Sequence, residues 1–261
     1  MNDSKPEKLL LWDIDGTLIS TGQAGEFALQ DSIRATLGAH PDLSGIEIAG
    51  RTDRAIAQQI LLKYGQEPTI ARVAQFLDGY VEALARRLPE RRPFGSIYAG
   101  IIDILEKVHR RPDLAQGLLT GNIRRGAKLK LEHYAVFHYF EFGAFADDDY
   151  DRNRLPPFAK ARAEARYDVR FQPSSIFVIG DTPHDIACGK AIGARTVGVA
   201  TGRFSDQDLV RTGADAVFPN LSNTGAFFDF IDNPRPMATR SETTSPDKRN
   251  RRKDRRTGEE R

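Results

Sequence analysis

Cysteine is nearly absent. Cys188 stands alone in 261 residues, which excludes an internal disulfide framework and any Cys₄ or Cys₂His₂ zinc site. Long apolar runs are missing too, since no stretch approaches the roughly 20 residues a bilayer-crossing helix needs. Met1 to Lys8 is polar and no signal-peptide core follows it, so a cytoplasmic location without membrane contact is expected. Nor is there an excess of one charge, for 38 Lys/Arg face 36 Asp/Glu. The small surplus is local. Residues 234–261 hold ten basic and five acidic side chains, leaving 28 basic and 31 acidic ones in residues 1–233. The body therefore lacks the electrostatic footprint of a nucleic-acid binder. The tail is rich in Pro, Ser, Thr and Arg and nearly free of apolar residues, and it is expected to be disordered.

What is present suits a soluble α/β protein long enough to bury a core without staples. Leu9–Trp12 is a short, continuous apolar run that stops at Asp13, as a strand buried on both faces would. Leu118-Leu119 stops at Thr120 and Ile176–Ile179 at Gly180-Asp181; Thr196–Ala200 and Ala216–Phe218 are further strand candidates. Amphipathic stretches lie between them, at Tyr98–Val108, Pro157–Tyr167, His184–Ile192 and Asp206–Arg211. This alternation predicts a parallel, Rossmann-like sheet with right-handed crossovers. Only helices are expected between residues 21 and 93: Ala24–Leu37, Asp53–Tyr64 and Ile70–Leu88, with Thr52 or Asp53 as an N-cap and Gly65 as a stop. The expected division is a core of residues 1–20 and 94–233, an inserted helical subdomain of residues 21–93, and a basic tail of residues 234–261.

The chemistry gathers where strands end. Asp13 and Asp15 flank Ile14 directly after the first strand, and alternate side chains of an extended chain leave on one side. Adjacent carboxylates raise one another's pKa unless a cation lies between them. Gly16 would let the backbone turn and approach a ligand. Asp181 stands in the same relation to its own strand, with Asp185 one helical turn later. Oxygen ligands in this number favour Mg²⁺. Thr120-Gly121-Asn122 offers a hydroxyl and backbone amides near a helix start, a fair seat for phosphate oxygens. Taken singly, each segment also reads as a turn or a helix cap. Taken together, all three would lie on one sheet edge, the carboxyl edge where ligands of open α/β sheets bind.

WDIDGT, LLTGN and VIGDTPHD resemble motifs I, II and IV of the haloacid dehalogenase superfamily, in its phosphatase branch. The likeness runs from about Leu9 to Asp232, and the helical insertion resembles the family's C1 cap. It is nearest to phosphoglycolate-phosphatase-like members. The resemblance implies Asp13 as nucleophile, Asp15 as acid and base, and Thr120 at a phosphoryl oxygen. Gly16, Thr17, Gly121 and Asn122 would lie around the substrate. Asp13, Asp15, Asp181 and Asp185 would form the Mg²⁺ site, Asp15 through its carbonyl and Asp185 through metal-bound water. The substrate would be a small phosphorylated metabolite. A phosphomutase and a non-catalytic binding protein remain as alternatives, whereas Asp15 speaks against a 2-haloacid dehalogenase. The motif III lysine is missing from the stretch Asp149–Pro157, and Arg152, Arg154 and Lys160 are the candidate replacements. Arg152 and Arg154 fall in the loop after an expected Phe142–Phe145 strand, and the resemblance favours Arg152, whose setting in Asp-Arg-Asn-x-Leu-Pro-Pro suits the arginine that replaces the lysine in similar sequences. His184, Cys188 and Arg51 are expected to be a peripheral group, a packed thiol and a rim residue.

Overall fold

The computed structural model describes residues 5–234; the basic tail, from residue 235 on, lies outside the described residues. Its strands are β1 (Lys8–Trp12), β2 (Ile19–Ser20), β3 (Ser96–Ile97), β4 (Leu114–Leu119), β5 (Gly143–Ala144), β6 (Ile176–Gly180), β7 (Arg195–Val199) and β8 (Ala216–Phe218). Six of them form one parallel sheet in the order β5-β4-β1-β6-β7-β8. Burial on both faces explains why the strand sequences run continuously apolar. Leu10, Trp12, Phe177 and Ile179 face one hydrophobic cluster, while Leu9, Leu11, Ile176 and Val178 face the other. No helix among the described residues is long and apolar enough to cross a membrane.

The helices of the sheet layers are α4 (Ile101–Arg110), α5 (Arg124–His133), α6 (Pro156–Tyr167), α7 (Pro183–Ala191), α8 (Asp206–Arg211) and α9 (Thr224–Asp232). Between β2 and β3 come α1 (Ala24–Leu37), α2 (Asp53–Lys63) and α3 (Ile70–Arg91). These three share a third cluster, in which Val73, Phe76, Leu77, Tyr80, Ala83, Leu84 and Leu88 form the helical stripe of α3. Thr52 caps α2 by accepting from the Ala55 N–H. The helix α3 passes the expected stop at Leu88 and takes in Pro89. So near the end of a helix, a missing N–H forfeits one ladder bond only.

The strands β2 and β3 pair antiparallel, Ile19 opposite Ile97 and Ser20 opposite Ser96, where the chain enters and leaves the helical block. Two-residue strands carry no readable alternation, so this ribbon goes beyond the sequence reading. Arg91 reinforces the junction: its Nε donates to the Gly22 carbonyl at 2.7 Å and its guanidinium lies over the Phe27 and Phe94 rings.

Candidate active site

The carboxyl ends of β1, β4 and β6 deliver Asp13, Thr120 and Asp181 to one edge of the sheet. Gly16 turns the chain after β1 with φ of +84°, a conformation that favours glycine, and a Cβ there would strike the Asp181 carboxylate. Carboxylate oxygens of Asp13, Asp181 and Asp185 lie within 4.8 Å of one another, and all three residues are buried. Burial, opposed by Arg152 and reinforced by Asp185 and Asp15, pushes the Asp13 carboxyl up to about 7. Burial, then Asp185 and Asp13, also holds the Asp181 carboxyl well above the usual carboxylate range.

A single guanidinium answers this cluster. Arg152 Nη2 lies 2.9 Å from Asp13 Oδ1 and also pairs with Asp185 Oδ1. Burial works against its charge, but Asp185 and Asp13 more than offset that and keep Arg152 firmly protonated. Its Nε is buried without a partner. The other two motif III candidates lie elsewhere: Arg154 faces Asp149 at 3.5 Å with an exposed side chain, and Lys160 faces Glu164 at 3.6 Å. Three carboxylates against one guanidinium leave two positive charges lacking, which suits a hard divalent cation bound through carboxylate oxygens.

Asp185 is also held from its own helix. Its Oδ2 accepts from the Thr182 N–H and hydroxyl, while the Asp185 N–H reaches back to Thr182, a capping box at the start of α7. Thr182, rather than Asp181, therefore caps this helix, and the Asp181 carboxylate is left to the cluster. Thr17 is fully buried and does not line the cavity; its hydroxyl donates to Asp181 Oδ1 at 3.2 Å. It stands behind the acidic cluster and not around the substrate space, where the resemblance would put it. Thr120 is equally buried and likewise does not line the cavity; its Oγ1, at the end of β4, accepts from the backbone and side-chain N–H groups of Asn122, which does line it.

A cavity of about 380 Å³ opens between this edge and the helical block. Asp13, Asp15, Gly16, Gly121, Asn122, Arg152 and Asp181 line it from the core, Arg51, Asp53 and Tyr80 from the other side. Gly121 is met by the segment before α2: its carbonyl accepts from the Asp53 N–H at 2.7 Å, and a Cβ would strike the Arg51 carbonyl. In return, Asp53 Oδ2 accepts from the Ile123 N–H at 2.8 Å. At the rim, Glu47 pairs with both Arg51 and His184. Cys188 is packed behind the site and donates to the Arg152 carbonyl at 3.2 Å.

Residues 10–199 match the model of a family described as haloacid dehalogenase-like hydrolase. The chain belongs to that family. It is 26% identical over 197 residues to PpaX of Clostridium perfringens, named a pyrophosphatase, with 74% of this chain and 83% of that one covered. It is 24% identical over 237 residues to the phosphoglycolate phosphatase of Rhodospirillum rubrum, covering 85% and 91%. In fold it resembles a hydrolase from Pseudomonas syringae, with a TM-score of 0.66 and 18% identity over 86% of this chain and 99% of that one.

One residue of this haloacid dehalogenase-like site escaped the sequence reading. Lys130 of α5 is buried, with Nζ 2.6 Å from Asp15 Oδ2 and 2.6 Å from Asn122 Oδ1. A signal was present. Gly126, Ala127, Lys130 and Leu131 share the buried face of α5, so a lysine occupies an apolar stripe at helical spacing. Buried lysines are rare unless paired.

Proposed function

We propose that the protein is a Mg²⁺-dependent phosphatase that hydrolyses a small phosphomonoester through an aspartyl phosphate on Asp13. The observation that carries this is the unequal treatment of two carboxylates on one turn. Asp13 is drawn into the buried acidic cluster with Arg152, while Asp15 stands outside it against Lys130 and Asn122, and both line one cavity. A nucleophile and an acid/base need such different surroundings. Asp13 attacks phosphorus as Asp15 gives its proton to the departing alcohol oxygen. Asp15 then takes a proton from water as that water attacks the aspartyl phosphate, and Asp13 and inorganic phosphate are released.

Arg152, the Thr120 hydroxyl and the backbone at Gly121 and Asn122 are the groups we assign to the phosphoryl oxygens, the unpartnered Arg152 Nε being a donor in reserve. Asp13, Asp181, Asp185 and the Asp15 carbonyl would hold Mg²⁺. When bound, the ion supplies positive charge that lets an anionic carboxylate approach an anionic phosphate. Residues 21–93 act as a cap over residues 1–20 and 94–233, and Arg51, Asp53 and Tyr80 belong to the surface that selects the substrate. Phosphoglycolate is the favoured substrate because of the likeness to the Rhodospirillum rubrum enzyme. The test is release of phosphate from a panel of phosphorylated metabolites, including phosphoglycolate, pyrophosphate and hexose phosphates, with Mg²⁺ or EDTA. Hydrolysis of a phosphomonoester that EDTA abolishes is expected. Release that EDTA leaves intact would end the metal-dependent reading, and conversion of a hexose phosphate to its isomer without release would point to a mutase.

A further inference from the structure

We propose that Lys130 is a positioning residue that fixes one oxygen of Asp15 so that the other is presented to the leaving group, with the helical block completing the seat of the ammonium. The proposal rests on the hydrolytic reading above and deepens it.

Asp15 follows β1 on a turn, and its side chain is 41% exposed, so packing alone does not choose its rotamer. Hydrogen bonds do. Lys130 Nζ donates to Oδ2 at 2.6 Å, and Asn122 Nδ2 donates to the same oxygen at 2.9 Å. No hydrogen bond to Oδ1 occurs among the described residues. Asn122 is itself held, since its Oδ1 accepts from Lys130 and its Nδ2 also reaches Thr120 Oγ1. Lys130, Asn122 and Asp15 thus form a closed ring of hydrogen bonds that fixes the plane of the Asp15 carboxylate and leaves Oδ1 as the oxygen without a donor.

The remaining surroundings of the ammonium come from all three helices of the inserted block. Tyr80 of α3 and Asp53 of α2 are among the groups whose charge or dipole acts on it. Gly25 of α1 stands so close that a Cβ there would lie 3.8 Å from Nζ. An ammonium has three donors, and Asp15 and Asn122 take two of them. The block walls in the remaining side of the group that orients the acid when it packs on the core.

The chemistry assigned to Oδ1 balances. In the first step its proton passes to the alcohol oxygen as the phosphorus–oxygen ester bond breaks and the Asp13–phosphorus bond forms. In the second it takes a proton from water as the water oxygen bonds phosphorus and the Asp13–phosphorus bond breaks. An alkoxide leaving group needs the first transfer; a stabilised aryl oxide does not.

The test uses the full chain with Mg²⁺ and the variant Lys130→Met, comparing p-nitrophenyl phosphate with an alkyl phosphate that the unaltered enzyme turns over. A displaced general acid should lower kcat/KM for the alkyl ester at least about thirtyfold, and for the aryl ester less than about threefold. Turnover of the aryl ester should also show a burst of p-nitrophenolate, because the second step still needs the base. Equal losses on both esters, or no loss, would overturn the proposal. Should Lys130→Met fail to fold, Lys130→Gln is read by the same ratio; failure of both to give a melting transition would assign Lys130 a structural role only. Asp13→Asn separates the two levels of inference. If it keeps full activity, or if the unaltered enzyme hydrolyses neither ester, the hydrolytic reading itself falls. If it is inactive while Lys130→Met shows no selective loss, only the role of Lys130 falls.

Discussion

Removing Arg152 should damage stability and turnover together, and the structure gives the size of both effects. Among the described residues, its guanidinium is the one side-chain cation paired with Asp13 or Asp185. Arg152→Ala leaves those carboxylates buried without it. Breaking a buried pair by removing one partner costs about 3–5 kcal/mol. For a chain of this size each kcal/mol lowers Tm by about 2–4 °C, so a fall of about 6–20 °C is expected in metal-free protein. Mg²⁺ should restore part of it by supplying charge to the same cluster. If the lost stabilisation reappears in the transition state, kcat should fall by about 10²–10⁴, at about 1.4 kcal/mol per power of ten. Lys160→Ala is the internal comparison, because its pair with Glu164 spans one helical turn outside the acidic cluster, and Glu164 keeps Arg170 and the Phe171 N–H as partners. Helical pairs at this spacing are worth about 0.3–0.5 kcal/mol. Thermal melts with and without Mg²⁺, together with turnover of p-nitrophenyl phosphate, read both quantities. Arg152→Ala within threefold of the parent in kcat and within about 2 °C in Tm would refute the reasoning, as would a large loss from Lys160→Ala.

Asp13→Asn keeps the side-chain volume and should fold, yet lose turnover by several powers of ten; more than about one per cent of residual kcat would remove Asp13 as nucleophile. Asp53 gives a pH signature. Burial, opposed by Lys130, raises its carboxyl from 3.8 to about 6, so between these values the folded protein keeps a proton that the unfolded chain has released. Its contribution to stability should therefore fall as pH rises from about 4 to 6 and stay level above, and the difference in urea midpoint between the parent and Asp53→Asn should follow that course; a difference that grew with pH would contradict the assignment. Deleting residues 234–261 should leave kcat/KM on a small phosphate ester unchanged, whereas a large loss would contradict that expectation.

The sheet and the acidic edge were legible because both depend on short-range patterns. Leu9–Trp12 and Ile176–Ile179 read as strands covered on both faces because no polar residue interrupts them, and in each case an aspartate follows where the strand leaves the layer. Asp206–Arg211 was readable because Gly213 closes it, and the structure adds a capping box of Ser205 and Asp208 at its start. What escaped depends on contacts far apart in the chain. Lys130 meets Asp15 across 115 residues, and no local pattern says which partner a buried lysine takes. Thr17 follows the aspartate turn and could be read as facing substrate, but the fold tucks its hydroxyl under Asp181, 164 residues away. The nine-residue helix α9 was missed because TGAFFDFID is apolar around most of its circumference, which blurs the helical period.

The pairing of Ile19 with Ile97 and Ser20 with Ser96 has a consequence for folding and for protein engineering. The entrance and exit of the helical insertion are side by side, so its ends are already closed into a loop by the core's own ladder. Because loop-closure entropy grows only as the logarithm of length, replacing the insertion with a short flexible tether would change the core's closure cost by only about 1–2 kcal/mol. Its third hydrophobic cluster is contributed almost wholly from within, by α1, α2 and α3, and the sheet draws little of its own packing from it. The insertion is thus closed off at its ends like a cassette, yet it is not free to vary: a helical block grafted between Ser20 and Ser96 would have to keep the Asp53 contacts with Gly121 and Ile123 and the wall around Lys130 to leave the catalytic edge intact.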